Sequence, residues 1–266
     1  MKIGFIGGGN MGEAMLSAIL HKRVSQPQSI TVSDKEKTRR EYLRQKYGVT
    51  VTGDNQLAIR NAEVVVLAIK PQNLVEVMIG LKGCLKASQL VLSIIAGARV
   101  DTIRRGLGYE RVVRAMPNTP AQIGEGMTVW TATSQVTGKQ KEYAARILGV
   151  MGKEIYLDEE KYLDMVTAIS GSGPAYFFLF IEALTEAAAQ IGLPREMAQE
   201  LVVQTMLGSG HFLQKSGRTP AELRRMVTSP GGTTAAALAQ FEQGGFTELV
   251  KRAITAAYKR AQELGN

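Results

Sequence analysis

The 266-residue sequence contains one cysteine, Cys84, and two histidines, His21 and His211. A single thiol excludes an internal disulfide framework and favours a reducing compartment. Cys84 stands in Lys82-Gly83-Cys84-Leu85-Lys86 with no histidine nearby, which reads as a structural residue rather than an activated nucleophile. The histidines lack metal-ligand spacing, so no bound metal is expected. Long apolar runs are missing as well. The greasiest stretch, Ala175 to Leu184, is interrupted by Glu182 and falls short of the ~20 residues of a membrane span. The amino terminus has no signal-peptide core, since Asn10 and Glu13 closely follow its first apolar residues. These absences predict a soluble cytoplasmic protein with no membrane partner. Lys plus Arg number 32 against 24 Asp plus Glu, a net charge of +8. That excess suits anionic ligands. No long basic run or basic–aromatic patch accompanies it, so nucleic acid is not an expected partner.

What is present describes an ordinary globular chain. Apolar residues make up 45% and charged residues 21%, enough for a substantial core. The length corresponds to about two domains. In the first half, Ile3–Ile6, Ile30–Val32, Val64–Ile69, Leu90–Ile95 and Val112–Met116 read as buried strands. Amphipathic segments such as Met11–His21 and Lys35–Lys46 lie between them. Met127–Ala132 and Glu154–Leu157 read as final strands, with a helix over Lys139–Val150. This alternation predicts an α/β fold, a Rossmann-like doubly wound parallel sheet over residues 1–158. From residue 159 to 266 strand signals fade. Glu159–Ile169, Ala175–Ile191, Arg195–Lys215, Thr233–Gln243 and Thr247–Leu264 read as helices of an all-helical domain. Tyr176 to Ile181 is apolar nearly all round, as a core helix or a surface shared between protomers would be.

Gly7-Gly8-Gly9-Asn10-Met11-Gly12 follows the first strand and opens the first helix. In a dinucleotide fold the first glycine makes the tight turn, the second lets the backbone approach a pyrophosphate, and the third packs helix on sheet. The helix N-terminus then offers free N–H groups to phosphate. Ser33-Asp34-Lys35 ends the second strand, where an acid would hold the ribose hydroxyls of NADH. Lys35, Arg39 and Arg40 lie close enough in sequence to pair with the 2′-phosphate of NADPH, so either cofactor is admitted. Asp34 as a simple helix cap is the alternative. Ala68-Ile69-Lys70-Pro71, Ala96-Gly97 and Met116-Pro117-Asn118-Thr119-Pro120 all follow strands, at the sheet edge where ligands bind. Lys70 is a cofactor contact or a surface charge.

Two helical-half segments carry further signals. Ser170-Gly171-Ser172-Gly173-Pro174-Ala175-Tyr176 and Thr228-Ser229-Pro230-Gly231-Gly232-Thr233-Thr234 each lead into a helix. Glycine-loosened backbone and hydroxyls at a helix start suit a carboxylate; two tight capped turns are the alternative. Tyr176 is a pocket residue or a core anchor.

Together, Gly7–Gly12, Ala68–Pro71, Ala96-Gly97, Arg114–Pro120, Ser170–Tyr176 and Ser229–Thr234 resemble the pyrroline-5-carboxylate reductase family nearly end to end. The resemblance implies a Rossmann domain, a helical dimerisation domain, and a dimer or dimer-based assembly. It implies reduction of 1-pyrroline-5-carboxylate to L-proline, the last step of proline biosynthesis, with NADPH or NADH as hydride donor. It assigns cofactor contacts to Gly7, Gly8, Gly9, Asn10, Met11, Gly12, Ser33, Asp34, Lys35, Ala68, Lys70, Pro71, Ala96, Gly97 and Asn118. Substrate contacts fall on Ser172, Gly173, Ser229, Gly231, Gly232, Thr233 and Thr234. Thr234, near the ring nitrogen, is the catalytic candidate. Interlocked partners of this family would bring the Ser229–Thr234 loop to the neighbouring protomer's nicotinamide. The chemistry suits the inventory: an imine that arrives protonated needs orientation rather than a strong acid. A β-hydroxyacid dehydrogenase would carry a catalytic lysine on the long helix, and Pro174 to Gln190 contains none. A nucleotide-binding redox sensor or regulatory paralogue without turnover is the other reading.

Overall fold

The computed structural model describes residues 1–265. Its strands are β1 (Ile3–Ile6), β2 (Ile30–Ser33), β3 (Thr50–Thr52), β4 (Val64–Leu67), β5 (Leu90–Ser93), β6 (Val112–Met116), β7 (Gly126–Ala132) and β8 (Gly152–Tyr156). They form one sheet in the order β3-β2-β1-β4-β5-β6-β7-β8. β1, β4 and β5 are buried at every residue, as strands covered on both faces must be. The cover is α1 (Asn10–His21), α2 (Lys37–Tyr47), α3 (Asn55–Ile59), α4 (Leu74–Leu81), α5 (Val100–Leu107) and α6 (Gly138–Gly149). Alternate side chains along a strand point to opposite faces. Val64 and Val66 therefore pack with Met15, Leu16, Ile19, Leu43 and Ile147 of α1, α2 and α6. Val65 and Leu67 pack with Ile59, Leu74, Met78, Ile103 and Leu107 of α3, α4 and α5. The fold is doubly wound.

Several sequence expectations need correction. The sheet is not wholly parallel, because β6 and β7 pair antiparallel. Residues 117–125 between them hold only a 3₁₀ turn over Thr119–Ile123, and a parallel return needs a crossover of about a dozen residues. The strands expected over Val64–Ile69 and Leu90–Ile95 stop at Leu67 and Ser93. The β1 strand beside β4 ends at Ile6, opposite Leu67, where the chain turns into the glycine loop, and Ser93 of β5 is in turn opposite Leu67. β3 was not anticipated. It is three residues long and none of them is buried, so it carries no apolar run. The helix expected over Glu159–Ile169 is α7 (Lys161–Val166) followed by a π-helical turn, Thr167–Gly171.

The remaining helices are α8 (Gly173–Gln190), α9 (Arg195–Ser216), α10 (Pro220–Met226), α11 (Thr233–Gln243) and α12 (Phe246–Gly265). The chain divides into two compact units, Met1–Ser172 with the chain from Ala257 onward, and Gly173–Ala256. Secondary structure changes character near residue 158, while α7 packs with the sheet and the π turn stays in the same unit. Arg114 of β6, 3% exposed, explains why. Its guanidinium donates to Glu160 at 2.7 Å and to Asp164 at 3.3 Å. Glu160 also accepts the Val100 N–H at 2.8 Å.

The helical unit buries few of its residues. Phe180, Phe241 and Phe246 form one aromatic cluster with centroids 5.5 to 6.4 Å apart. Phe177, Phe178 and Leu179 of α8 are 62%, 57% and 66% exposed. An apolar surface of this kind marks an interaction site.

Candidate active site

The glycine loop joins β1 to α1. Gly7 adopts φ +98°, and a Cβ there would meet the Ala68 carbonyl oxygen at 2.5 Å. A Cβ at Gly12 would meet the Gly7 oxygen at 2.7 Å, so helix and loop touch backbone to backbone. Gly9 is different: nothing lies within 4 Å of a Cβ placed there. It opens onto free space at the start of α1. No side chain caps this helix, and its first intrahelical bond runs from the Glu13 N–H to the Gly9 oxygen. The Asn10, Met11 and Gly12 amides are the unsatisfied donors of a first helical turn. The residues present thus fit a pyrophosphate: a bare backbone at Gly9, backed by donors and a positive helix end.

Asp34 follows β2. Its Oδ2 accepts the Gly8 N–H and its Oδ1 the Glu36 N–H, both at 2.9 Å. The helix-cap alternative for Asp34 is corrected, since α2 starts at Lys37 with Glu36 at its cap position. Ser33 is buried and donates its hydroxyl to Asn55 Oδ1. Asn55, at the start of α3, was not anticipated. Lys35 is exposed. Arg40 Nη1 donates to the carbonyls of Asp34 and Lys35 at 2.7 and 2.9 Å. Arg39 donates through Nε to the Gly8 carbonyl and through Nη2 to Glu13.

Glu13 is the hub of this corner and was also missed as a site residue. Its Oε1 accepts the hydroxyls of Tyr47 at 2.7 Å and Tyr42 at 3.1 Å, and Lys46 Nζ at 3.0 Å. Burial alone would raise its carboxyl, but the bonds from Tyr47, Lys46, Arg39 and Tyr42 outweigh it and hold the pKa at about 2. The same hydrogen bonds, led by Tyr42 and then Glu13, push the Lys46 ammonium upward. An acid early in a first helix is an unremarkable sequence feature; its partners arrive from α2, 26 to 34 residues later.

The other candidates at the carboxyl edge vary in availability. Ala68 and Pro71 flank an exposed Lys70, which precedes a 3₁₀ turn over Pro71–Asn73. Ala96 is exposed; Gly97, at φ +74°, packs against the Leu264 carbonyl near the end of α12. Asn118 is engaged structurally. Its Nδ2 donates to the Ser170 carbonyl at 3.0 Å and its Oδ1 accepts the Met127 N–H at 2.8 Å.

The two hydroxyl-rich segments differ. In Ser170–Tyr176 two of the donors are already engaged. The Ser170 hydroxyl donates to the Val166 carbonyl, and the Ser172 N–H to the Thr167 carbonyl at 2.8 Å. The Ser172 amide thus closes the π turn, and Gly173 is buried. Thr228–Thr234, within the helical unit, does form a helix start. Gly231 takes φ +70° and the Gly232 N–H closes a turn on the Ser229 carbonyl at 3.1 Å. No side chain caps α11 at Gly232, and its first helical bond is Ala236 N–H to the Gly232 oxygen. The amides of Thr233, Thr234 and Ala235 are first-turn donors, with the Ser229, Thr233 and Thr234 hydroxyls nearby in the chain. Among the described residues no group of three or more His, Cys, Asp or Glu is arranged to hold a metal. Among them, too, no helix is long and apolar enough to cross a membrane.

Comparison with known proteins gives a consistent picture. Residues 160–264 match the family model described as pyrroline-5-carboxylate reductase dimerisation. Residues 2–97 match the model described as NADP oxidoreductase coenzyme F420-dependent. The chain is 42% identical to the pyrroline-5-carboxylate reductase of Synechocystis sp., covering 100% of this chain and 98% of the relative. It is 42% identical to that of Pseudomonas aeruginosa, over 99% and 96% of the two chains. Among solved structures, the pyrroline-5-carboxylate reductase of Coxiella burnetii superposes with a TM-score of 0.93 at 40% identity, covering 100% and 98% of the chains. The Plasmodium falciparum enzyme with NADP bound gives 0.90 at 32% identity, with the same coverage.

Proposed function

The chain belongs to the pyrroline-5-carboxylate reductase family, and from that membership we propose that it reduces 1-pyrroline-5-carboxylate to L-proline with NADPH as hydride donor. The observation that carries the reading is the full-length match combined with two unblocked helix starts, one behind Gly9 and one behind Gly232. The α1 amides take the pyrophosphate, and Asp34 with its basic neighbours lies at the ribose end. The α11 amides and the hydroxyls of Ser229, Thr233 and Thr234 take the substrate carboxylate. The family resemblance also assigns substrate contacts to Ser172, whose N–H is taken by the Thr167 carbonyl, and to Gly173. When bound, the dinucleotide supplies the hydride that reduces the imine carbon. The protein orients the ring, and Thr234 offers a hydroxyl at the ring nitrogen. The imine arrives protonated, so no side chain here acts as a strong acid.

Residues 1–158 carry the nucleotide role, and residues 159–266 the substrate and self-association roles. The exposed apolar face of α8 supports self-association, as does the dimerisation model matched there. We place the enzyme in the cytoplasm. The test is steady-state oxidation of NADPH and of NADH by the purified protein with 1-pyrroline-5-carboxylate. Substrate-dependent oxidation is expected with NADPH. Cofactor binding without turnover would replace this reading with a non-catalytic sensor.

A further inference from the structure

The opposite edge of the sheet holds a second charged feature. Lys2, Glu63 and Arg111 stand immediately before β1, β4 and β6. With Arg60, Lys86 and Lys139 they line an open groove of about 710 Å³. Five of these six side chains are cations. Among the described residues none of the five has a carboxylate within ion-pair distance. The one acid, Glu63, already accepts the Lys2 N–H at 2.7 Å.

The segments that line the groove are hydrogen-bonded to one another. Gln89, 2% exposed, donates to the Ile59 and Ala62 carbonyls at 2.6 and 2.8 Å and accepts the Lys86 N–H at 2.7 Å. Gln140 donates to the Ser88 and Gln89 carbonyls, both at 3.2 Å. Gln89 thus staples the loop before β5 to the loop before β4, and Gln140 ties α6 to the loop before β5. Lys86 Nζ is itself held on the Arg60 carbonyl at 2.7 Å. Lys86 is thus placed before any ligand arrives, which lowers the ordering cost of binding. Four-residue strands at ~3.3 Å per residue put the groove on the order of 13 Å from the glycine loop, so neither glutamine serves the cofactor.

Unpaired like charges gathered in a concave site raise the local potential and favour a polyanion. A single phosphate would leave most of the five cations unmatched, whereas a phosphate chain spans them. The volume falls in the usual range of ligand pockets. We propose that this groove binds a small molecule through a polyphosphate chain, whether free or carried by a nucleoside.

Calorimetric titration of the full chain, saturated with NADPH to fill the glycine loop, tests this with tripolyphosphate and with ATP as probes. Both bind, with affinity falling steeply as salt rises. The Arg60→Gln/Lys86→Gln pair weakens tripolyphosphate at least tenfold and leaves kcat/KM for imine reduction within twofold. Arg111→Gln/Lys139→Gln gives the same result independently. Equal affinities assign recognition to the phosphate chain alone, and tenfold tighter ATP assigns it to a nucleoside triphosphate; either outcome supports the site. Absence of binding by both probes overturns it, as does affinity unchanged in both variant pairs. Capture of a short DNA duplex in the groove, with no tripolyphosphate binding, overturns it in favour of nucleic acid.

Discussion

The Asp34 carboxylate accepts the backbone N–H of Gly8 at 2.9 Å, so the end of β2 is tied to the middle of the glycine loop. This fixes a negative charge beside the glycine loop, the position proposed for the ribose end, while Arg39 is held by Glu13 and the Gly8 carbonyl. A 2′-phosphate placed there meets that charge. Asp34→Ser raises the kcat/KM ratio of NADPH to NADH about tenfold, equivalent to ~1.4 kcal/mol. Steady-state kinetics with both cofactors measures it, and a ratio moved less than twofold removes Asp34 from cofactor choice.

Thr234 lies in the uncapped first turn of α11. Hydrogen bonds to a charged group contribute about 1.5–3 kcal/mol. Thr234→Ala therefore lowers kcat/KM for 1-pyrroline-5-carboxylate roughly tenfold or more. A well-folded variant with unchanged kinetics would exclude the hydroxyl from the site.

Glu13 titrates near 2 in the folded chain against an ordinary 4.5. A lowered acid stabilises the fold above its unfolded pKa and loses that contribution as pH falls through its folded pKa. Thermal melts of the parent and Glu13→Gln should differ by a constant amount from neutral pH down to about 5. The difference closes between pH 4.5 and 2. A gap that persists at the acid end contradicts the charged network.

Arg114 is nearly inaccessible and faces two carboxylates. Removing one partner of a buried pair leaves the rest uncompensated, at a cost of roughly 3–5 kcal/mol. Arg114→Gln should lower unfolding stability by about 3 kcal/mol in urea titration. A change under 1 kcal/mol would mean that solvent screens the cluster.

Leu179 is 66% exposed on α8 within a run of aromatic neighbours. Leu179→Glu places a charge on the exposed apolar face of α8, the face proposed for self-association. Sedimentation should show the parent as a dimer or larger and the variant shifted toward monomer. An unchanged sedimentation coefficient would locate the self-association surface elsewhere.

Much of this protein was readable before folding. β1, β4 and β5 announce themselves as short apolar runs, and Gly7, Gly9 and Gly12 carry their roles in their spacing. Both are local properties, set by strand period, backbone sterics and the missing Cβ. The change to helices after Asp158 was equally visible, because composition shifts there.

Other features depended on residues distant in the chain. β3 has no apolar signal and forms because β2 offers it an open edge. The antiparallel return of β7 follows from a connection too short to cross over. Glu13 became a hub only when α2 brought Arg39, Tyr42, Lys46 and Tyr47 to it, and the five unpaired cations gathered only when the sheet aligned the starts of its strands. Ser170–Tyr176 had the residues of a free helix start, but the preceding π turn takes the Ser172 N–H. Sequence spacing determines local geometry and the face a side chain takes; which charges meet, and which donors remain open, depends on contacts between distant segments that only folding creates.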